Sequence, residues 1–346
     1  MIAHNPVLID FGISLEQALL KIKEEEKEKI VFLTSPSFAK QTEWAKNILG
    51  QRLKKVLTNM APNPDFNSLL RLRQQLGHFD AIVALGGGSV MDAAKFLSLE
   101  EVVLNHHQLF TDFSKAKSIY AIPTTHGSSS ELTSWASIWH VENQQKYSLS
   151  SSFLFPKCAF YVPELTLTLP LQMSLFSSLD SLSHALESLW NKNENFISTH
   201  YALAALTIFL AHLPNLPQQL DNLNWRTKML EGSIFAGLAF SNTQTALAHA
   251  LSYPLTLKWR IPHGLAVAFS LPALFSSLPD GKINHLLKPF LPKLNALFDN
   301  LNLKKEFHFL KEKDIHNLFL NLNERAQNSI FDLEKVRHNL IQFYFK

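Results

Sequence analysis

The pattern of apolar residues changes once along the chain, close to residues 165–170, and this change limits the folds available to it. Before it, short β-type runs such as IVFLT and DAIVAL alternate with helical stretches, which is typical of a parallel sheet with helices on both faces. After Pro170 nearly every segment has helical periodicity, and Pro and Asn clusters separate the segments. We therefore predict an α/β domain over residues 1–167 and an all-helical domain over residues 168–346.

The composition is that of an ordinary globular protein. The chain has 346 residues, 46% of them hydrophobic and 18% charged, which is enough for two cores and argues against disorder. The net charge is +3 with no basic stripe, so we expect no nucleic-acid partner. The single cysteine, Cys158, excludes an internal disulfide and fits a reducing compartment. We see no signal peptide and no uninterrupted apolar run of membrane-spanning length, so we expect a cytoplasmic protein that does not bind a membrane.

Four residues of the helical part form a candidate metal-ligand set. Asp180 and His184 are spaced i, i+4 and project from one face of a helix, while His249 and His263 follow fourteen residues apart in apolar surroundings. One carboxylate and three imidazoles complete the ligand set of a divalent transition metal. An Asp within LFSSLDSLSHAL is also costly to bury unpaired. The alternative is that these are ordinary core histidines, since the chain has 15 histidines.

A glycine loop, Gly86 to Ser89, lies between a buried strand and the start of a helix. Glycines there let a ligand approach the backbone, and a helix N-terminus attracts anions, so the pattern indicates a phosphate cradle. A tight strand-to-helix turn is the alternative, because the loop matches neither the G-x-G-x-x-G fingerprint nor a P-loop. A second polar loop, PTTHGSSSE over residues 123–131, follows the next strand, and two such loops at one sheet edge favour a dinucleotide crevice.

Five motifs in this order, GGGSVMDAAK, PTTHGSSSE, DSLSHALE, AHALSYPL and IPHG, resemble the iron-containing alcohol dehydrogenase family over about residues 5 to 275. The resemblance implies a nucleotide-binding α/β domain, a helical metal domain, a cleft between them and a homodimer. It implies Fe²⁺ or Zn²⁺, both of which accept such N and O ligands. The ligands that it implies are Asp180, His184, His249 and His263. The nucleotide contacts that it implies are Asn63, Gly87, Gly88, Ser89, Thr124, Thr125 and Lys146.

Three positions depart from the pattern of many relatives. Ser35 replaces an Asp that would bind the adenosine ribose and repel a 2′-phosphate, so both NAD(H) and NADP(H) remain open. Ser129 replaces a glycine of the second loop, which would reshape the nicotinamide end. Tyr253 stands four residues after His249, where many relatives have a second histidine. We therefore expect no proton relay through a histidine there; Tyr253 either donates a hydrogen bond or shapes the pocket.

The resemblance implies hydride transfer between NAD(H) or NADP(H) and a small aldehyde or alcohol, with the metal as a Lewis acid and Tyr253 among the catalytic candidates. The stretches WASIWHVENQQKYSL, HALESLWNKN and SNTQTALAHALSYPLT most resemble the phosphonoacetaldehyde reductase branch. Lys258 and Arg260 are candidates for holding its anionic tail, or are ordinary surface charges. Two alternatives are an enzyme like dehydroquinate synthase or glycerol-1-phosphate dehydrogenase acting on a phosphorylated polyol, and a non-catalytic nucleotide-binding protein. The first should have a pocket richer in Lys, Arg and Asn, and the intact ligand set argues against the second.

Overall fold

The computed structural model describes residues 4–26, 28–105, 108–140, 142 and 145–346, and these form two compact units. The α/β unit is Asn5–Leu169, and the helical unit is Pro170–Lys346 together with His4. The change of unit thus falls between Leu169 and Pro170. Residues 141, 143 and 144, within the stretch WASIWHVENQQKYSL, lie outside the described residues, as do residues 1–3 of the N-terminal segment.

The α/β unit is built on a parallel sheet. The described strands of the unit are β1 Leu8–Phe11, β2 Ile30–Thr34, β3 Leu53–Leu57, β4 Ala81–Gly86, β5 Val103–Asn105, β6 Gln108–Phe110, β7 Ser118–Pro123, β8 Trp135–His140, β9 Gln145–Ser150 and β10 Cys158–Tyr161. Six of them form one sheet in the order β1-β10-β7-β4-β2-β3, and every neighbouring pair is parallel. Alternate residues of β2 and β4 enter two separate apolar clusters, one on each face, which explains why both strands are uniformly apolar. The predicted α/β fold class is confirmed.

Four α-helices belong to this unit: α1 Leu15–Glu25, α2 Thr42–Leu49, α3 Phe66–Leu76 and α4 Gly88–Ser98. Ser14 and Gln17 form a capping box at α1, and the Asp65 side chain caps α3. The sequence predicts one helix over SFAKQTEWAKNIL, whereas the structure has a 3₁₀ helix, Pro36–Gln41, followed by α2. The backbone breaks at Phe38, which has φ −113° and ψ 19° and buries its side chain in the core.

Two antiparallel hairpins, β5–β6 and β8–β9, are absent from the sequence-based prediction. In β8 the buried residues alternate with partly exposed ones, and Ala136 and Ile138 enter the core beside α4. This period of two is the pattern of a half-buried strand. The β8–β9 hairpin places Lys146 and Trp139 next to each other on facing strands.

The sheet has one point at which the strand order reverses. From β2 the chain places β3 on one side, and β4, β7 and β10 follow on the other side. Ligands of open α/β sheets bind beyond the carboxyl ends of the strands at such a point. Ser35 directly follows β2 and the glycine loop follows β4, so both border the predicted crevice.

The helical unit contains α5 Leu171–Leu189, α6 Phe196–His212, α7 Leu223–Thr243, α8 Leu247–Trp259, α9 His263–Ala268, α10 Leu271–Ser277, α11 Lys282–Leu287, α12 Leu291–Leu301, α13 Leu303–Glu306, α14 Glu312–Leu320 and α15 Leu333–Phe345. Helix α5 packs against α6, α7 and α9 and is buried all round from residue 178 onwards. Three of its serine hydroxyls bond within the helix: Ser178, Ser183 and Ser188 each donate to the carbonyl four residues earlier, at 2.7–2.8 Å.

One helical stretch of the described residues, Phe196–Gln218, has the length and apolarity of a membrane span. This is weak support for one, because buried helices of globular cores pass the same test. Its residues Ala202, Leu206 and Phe209 are buried in the apolar core of the helical unit.

Gly264 sets how closely α9 approaches α5. A Cβ at this position would lie 1.9 Å from the carbonyl oxygen of Phe176, which belongs to the α5 backbone. Backbone of a buried helix cannot move aside cheaply, so only glycine fits. The preceding residue is His263, and the close approach therefore also sets the position of that side chain.

We expect Gly264→Ala to lower the free energy of unfolding by about 3 kcal/mol or more, because the added methyl group overlaps backbone. Urea denaturation measures the change. The matched control is Gly232→Ala in α7, where the nearest atoms to a Cβ belong to the side chains of Phe209 and Ile208, at 3.1–3.2 Å. Those side chains can adjust, so we expect a change within about 1 kcal/mol there. Equal effects of the two substitutions would contradict the close-approach argument.

Candidate metal centre

The first two predicted ligands lie one turn apart on the buried face of α5. The side chains of Asp180 and His184 are almost fully buried, as is that of His249 near the start of α8. His263 is the first residue of α9, and its side chain is 40% exposed. Three of the four predicted ligands are therefore sealed in the core, and the fourth lies on the open side.

The ligand atoms of the four side chains converge on one point. Asp180 Oδ1 lies 3.3 Å from His249 Nε2, 3.7 Å from His184 Nε2 and 3.7 Å from His263 Nε2. Asp180, His184 and His249 each offer a ligand atom within 4.8 Å of the other two. Ligands held about 2.0–2.2 Å from a tetrahedral ion lie about 3.3–3.6 Å apart, so the spacing fits a divalent metal.

Two of these atoms need a cation. Asp180 Oδ1 and His249 Nε2 are buried and have no hydrogen-bond partner within the part of the chain that the structure describes. Because His249 Nδ1 lies 2.6 Å from the Glu187 carboxylate, this nitrogen carries the proton in the neutral ring. The Nε2 lone pair then faces the Asp180 oxygen at 3.3 Å, which is repulsive unless a positive charge lies between the two atoms.

The pKa shifts reflect the same demand for positive charge. Burial alone would raise the pKa of Asp180, but the imidazoles of His184, His263 and His249 bring it well below its ordinary value. Burial lowers the pKa of His184 to about 4, which leaves its imidazole neutral and able to bind a metal. Burial acts in the same direction on His249, but Glu187 and Asp180 outweigh it and raise its pKa to about 10. The protonated His249 ring thus lies between two carboxylates, and a bound metal ion would displace its Nε2 proton.

Glu187 is the functional residue that the sequence analysis missed. It is fully buried, and its carboxylate accepts hydrogen bonds from the backbone amides of Ala246, Ala248 and His249, at 2.6–3.2 Å, and from His249 Nδ1 at 2.6 Å. A carboxylate behind a metal-binding imidazole fixes its tautomer and raises its basicity. The available signal was position: Glu187 follows Asp180 by seven residues and His184 by three, so all three share one face of α5.

His184 is held by ring stacking instead. Its imidazole lies parallel to the Phe240 ring, with centroids 3.9 Å apart, and parallel to the His249 ring at 4.7 Å. Its buried Nδ1 has no hydrogen-bond partner among the described residues. The two buried imidazoles are thus oriented by different means, one by a carboxylate and one by an aromatic sandwich.

The remaining candidates of the helical unit lie on its open side or at its surface. The Tyr253 ring is parallel to the His263 imidazole with centroids 6.2 Å apart, one turn after His249 on α8. Lys258 Nζ lies 3.8 Å from Asp314 Oδ1 and 4.2 Å above the Trp259 ring. Arg260 ends α8 in the left-handed conformation and is exposed.

The nucleotide candidates of the α/β unit meet at the end of β4, with one exception. The Asn63 amide donates to Ser89 Oγ at 3.2 Å, and the Thr124 amide donates to the Gly86 carbonyl at 3.0 Å. A Cβ on Gly87 would lie 3.2 Å from Thr125 Cγ2. Lys146 instead lies on β9, with its ammonium 5.7 Å from the centre of the Trp139 ring.

Packing within the protein is a second reason for a glycine at position 88. A Cβ there would lie 2.6 Å from Ser128 Oγ, so the second loop occupies the space beside this glycine. We expect from the sequence that a ligand makes the close approach, whereas at Gly88 the side chain of Ser128 makes it. The N-terminus of α4 still has no side-chain cap, which leaves its first amides available for an anion.

We expect Glu187→Gln to weaken Zn²⁺ or Co²⁺ binding by about 10- to 100-fold, because His249 loses its anionic partner. Competition with a chromophoric chelator measures the affinity. Ser183→Ala is the matched control on the same helix; it removes the hydroxyl bond to the Leu179 carbonyl and costs about 1 kcal/mol of stability without removing a contact of His249 or Glu187. Wild-type metal affinity in Glu187→Gln would remove Glu187 from the site.

Comparison with known proteins agrees with the fold. A family model described as iron-containing alcohol dehydrogenase matches residues 8–163, and one described as the C-terminal part of the Fe-containing alcohol dehydrogenase family matches residues 174–289. The 4-hydroxybutyrate dehydrogenase of Clostridium kluyveri is 30% identical over 260 residues, which cover 68% of this chain and 70% of that protein.

A second relative, the 1-propanol dehydrogenase PduQ of Salmonella typhimurium, is 31% identical over 62% of this chain, and the match spans only 57% of that protein's length. The solved structure of sulfoacetaldehyde reductase from Bifidobacterium kashiwanohense, in complex with NAD⁺, has a TM-score of 0.87 at 24% identity and covers 99% of this chain and 97% of its own. This likeness shows a shared fold. The family models and the Clostridium relative together establish that the chain belongs to the iron-containing alcohol dehydrogenase family.

Proposed function

We propose that the protein is a metal-dependent oxidoreductase that transfers hydride between NAD(H) or NADP(H) and a small aldehyde or alcohol. One observation carries the proposal: Asp180 Oδ1 lies 3.3–3.7 Å from three imidazole nitrogens, and neither this oxygen nor His249 Nε2 has a hydrogen-bond partner among the described residues. We assign nucleotide binding to the α/β unit, and metal and substrate binding to the helical unit. Membership of the family supports both assignments.

Asp180, His184, His249 and His263 would hold the metal. When bound, a divalent iron or zinc ion supplies a Lewis acid for the carbonyl oxygen of the aldehyde. Because the first three side chains are sealed in the core, a small substrate reaches the site from the side of His263. The Tyr253 ring lies parallel to His263 and forms part of the wall on that side.

The ends of β2, β4 and β7 would hold the cofactor, whose nicotinamide supplies or accepts the hydride. The amides of Gly88 and Ser89 begin α4 without a side-chain cap and suit a pyrophosphate. Gly87, Asn63, Thr124 and Thr125 border the same loop, and we retain Lys146 as a more distant contact.

Within this class we propose phosphonoacetaldehyde as a specific substrate to test, on the resemblance of three sequence stretches. An anionic tail needs a cation. Of the two candidates, Lys258 already contacts Asp314 and Trp259, so Arg260 is the freer one. One relative is named for an anionic substrate, 4-hydroxybutyrate, and the other for a neutral one, 1-propanol. The assay therefore needs one anionic and one neutral aldehyde.

Anaerobically purified protein should contain close to one equivalent of iron or zinc and oxidise NADH or NADPH with small aldehydes. His263→Ala should lower the metal content and reduce turnover by about a hundredfold or more, because one ligand is lost. His285→Ala, which removes an exposed histidine of α11, is the control and should change neither. Full metal content and activity in His263→Ala would reject the site.

The substrate panel refines this assay. Propanal and phosphonoacetaldehyde are compared by kcat/KM in the wild type and in Arg260→Ala. Turnover of propanal alone would remove the phosphonate assignment while leaving the reaction class intact. Tyr253→Phe keeps the stacked ring and removes the hydroxyl, so a loss of turnover in that variant assigns a role to the hydroxyl.

Cofactor choice provides a separate test at Ser35. An Asp at the end of β2 would repel a 2′-phosphate, so Ser35→Asp should lower kcat/KM for NADPH about tenfold or more relative to NADH. Ser37→Asp adds the same charge two residues later at an exposed position and should leave the ratio unchanged. An unchanged ratio in Ser35→Asp would mean that this residue does not face the ribose.

A further inference from the structure

Lys95 is a fully buried cation that the proposed chemistry does not use. It lies on α4, and its ammonium contacts four oxygens at 2.7–3.0 Å: Ser130 O, Ser130 Oγ, Thr133 Oγ1 and Trp135 O. A lysine ammonium has three N–H donors, so these oxygens exhaust its capacity. All four belong to one short segment, residues 130–135, which begins at the end of the second loop.

A second side chain of α4 binds the same segment. Asp92, three residues before Lys95 and therefore on the same helix face, accepts from Ser130 Oγ at 2.7 Å and from the Ser137 amide at 3.0 Å. The neighbouring Glu131 is buried and accepts from Tyr161 OH at 3.0 Å. The carboxylates of Asp92 and Glu131 both act to raise the pKa of Lys95. Burial has the larger effect and lowers it to about 8.

The loop between β7 and this segment is held at both ends. At its start the Thr124 amide donates to Gly86, and at its end Lys95 and Asp92 bind Ser130. Between these points Ser128 packs on Gly88, and Ser129 adopts the left-handed φ of 46° that L-residues rarely take. The loop backbone therefore depends on its anchors to keep this conformation.

Helix α4 would contact the cofactor at one end and positions this loop through its side. A pyrophosphate at the α4 N-terminus has its two nucleosides on either side. The adenosine would lie toward β2 and Ser35, so the nicotinamide half lies toward β7 and the second loop.

We propose that Lys95 is a positioning residue that, with Asp92, holds the second loop in the shape that receives the nicotinamide half of the cofactor. This inference rests on the proposed function. Without the ammonium, Ser130 O, Thr133 Oγ1 and Trp135 O lose their common donor, and residues 124–133 become free to leave their conformation. Binding of the full cofactor then weakens, while binding of its ADP-ribose part does not.

The test compares NADH with ADP-ribose by calorimetry. Lys95→Met keeps the volume and removes the donors; we expect its Kd for NADH to rise about tenfold or more and its Kd for ADP-ribose to stay within about threefold. Thr133→Val removes one of the four contacts and should give a smaller rise. Lys117→Met is the matched control, because Lys117 precedes β7 at the opposite sheet edge, where it pairs with Glu100 at 2.9 Å.

Hydrogen exchange of the cofactor-free protein gives an independent measurement. Lys95→Met should speed amide exchange in residues 124–133 and leave β2 and β10 unchanged, which a general loss of stability would not do. Where Lys95→Met does not fold, Thr133→Val provides the same comparison. Equal weakening of both ligands, or of neither, would overturn the inference. A wild-type protein that binds neither ligand would instead refute the proposed function.

Discussion

Two carboxylates on the buried face of α5, Asp180 and Glu187, set a requirement that the rest of the helical unit has to meet. A buried carboxylate without donors or a cation costs several kcal/mol. Glu187 is satisfied by three amides and the Nδ1 atom of His249, and this ties the start of α8 to α5. Asp180 Oδ1 instead faces three imidazole nitrogens, which approach it to 3.3–3.7 Å from α5, α8 and α9. The contacts that form the candidate metal site therefore also join α5 to α8 and α9.

The α/β unit uses a buried charge in a comparable way. Lys95 and Asp92 project from one face of α4 and bind a segment that lies 35–45 residues later in the chain. Glycine at position 88 lets Ser128 come close to the start of the same helix. The helix that would receive the cofactor phosphates thus also determines the shape of the neighbouring loop.

Local spacing was the predictable part of both the fold and the site. The i, i+4 interval of Asp180 and His184 places both on one helix face in any helical context, and buried parallel strands are uniformly apolar whatever surrounds them. The role of Glu187 depends on amides 59–62 residues away, and no pattern of period 2 or 3.6 reports such contacts. The pairing of Lys258 with Asp314 was missed for the same reason. The β8–β9 hairpin has the expected alternation, but six residues are too few to distinguish it from a loop.

The four proposed ligands differ in how firmly the protein holds them, and this difference has a chemical consequence. His249 is fixed by a carboxylate and His184 by two parallel rings, and both are sealed in the core. His263 begins a six-residue helix, and its position depends on the contact of the neighbouring glycine with α5. Such a site would bind its metal through all four ligands and admit substrate beside the exposed one. The side chains around His263, Tyr253 first among them, line the side on which substrate would enter, whereas the buried ligands and Glu187 do not.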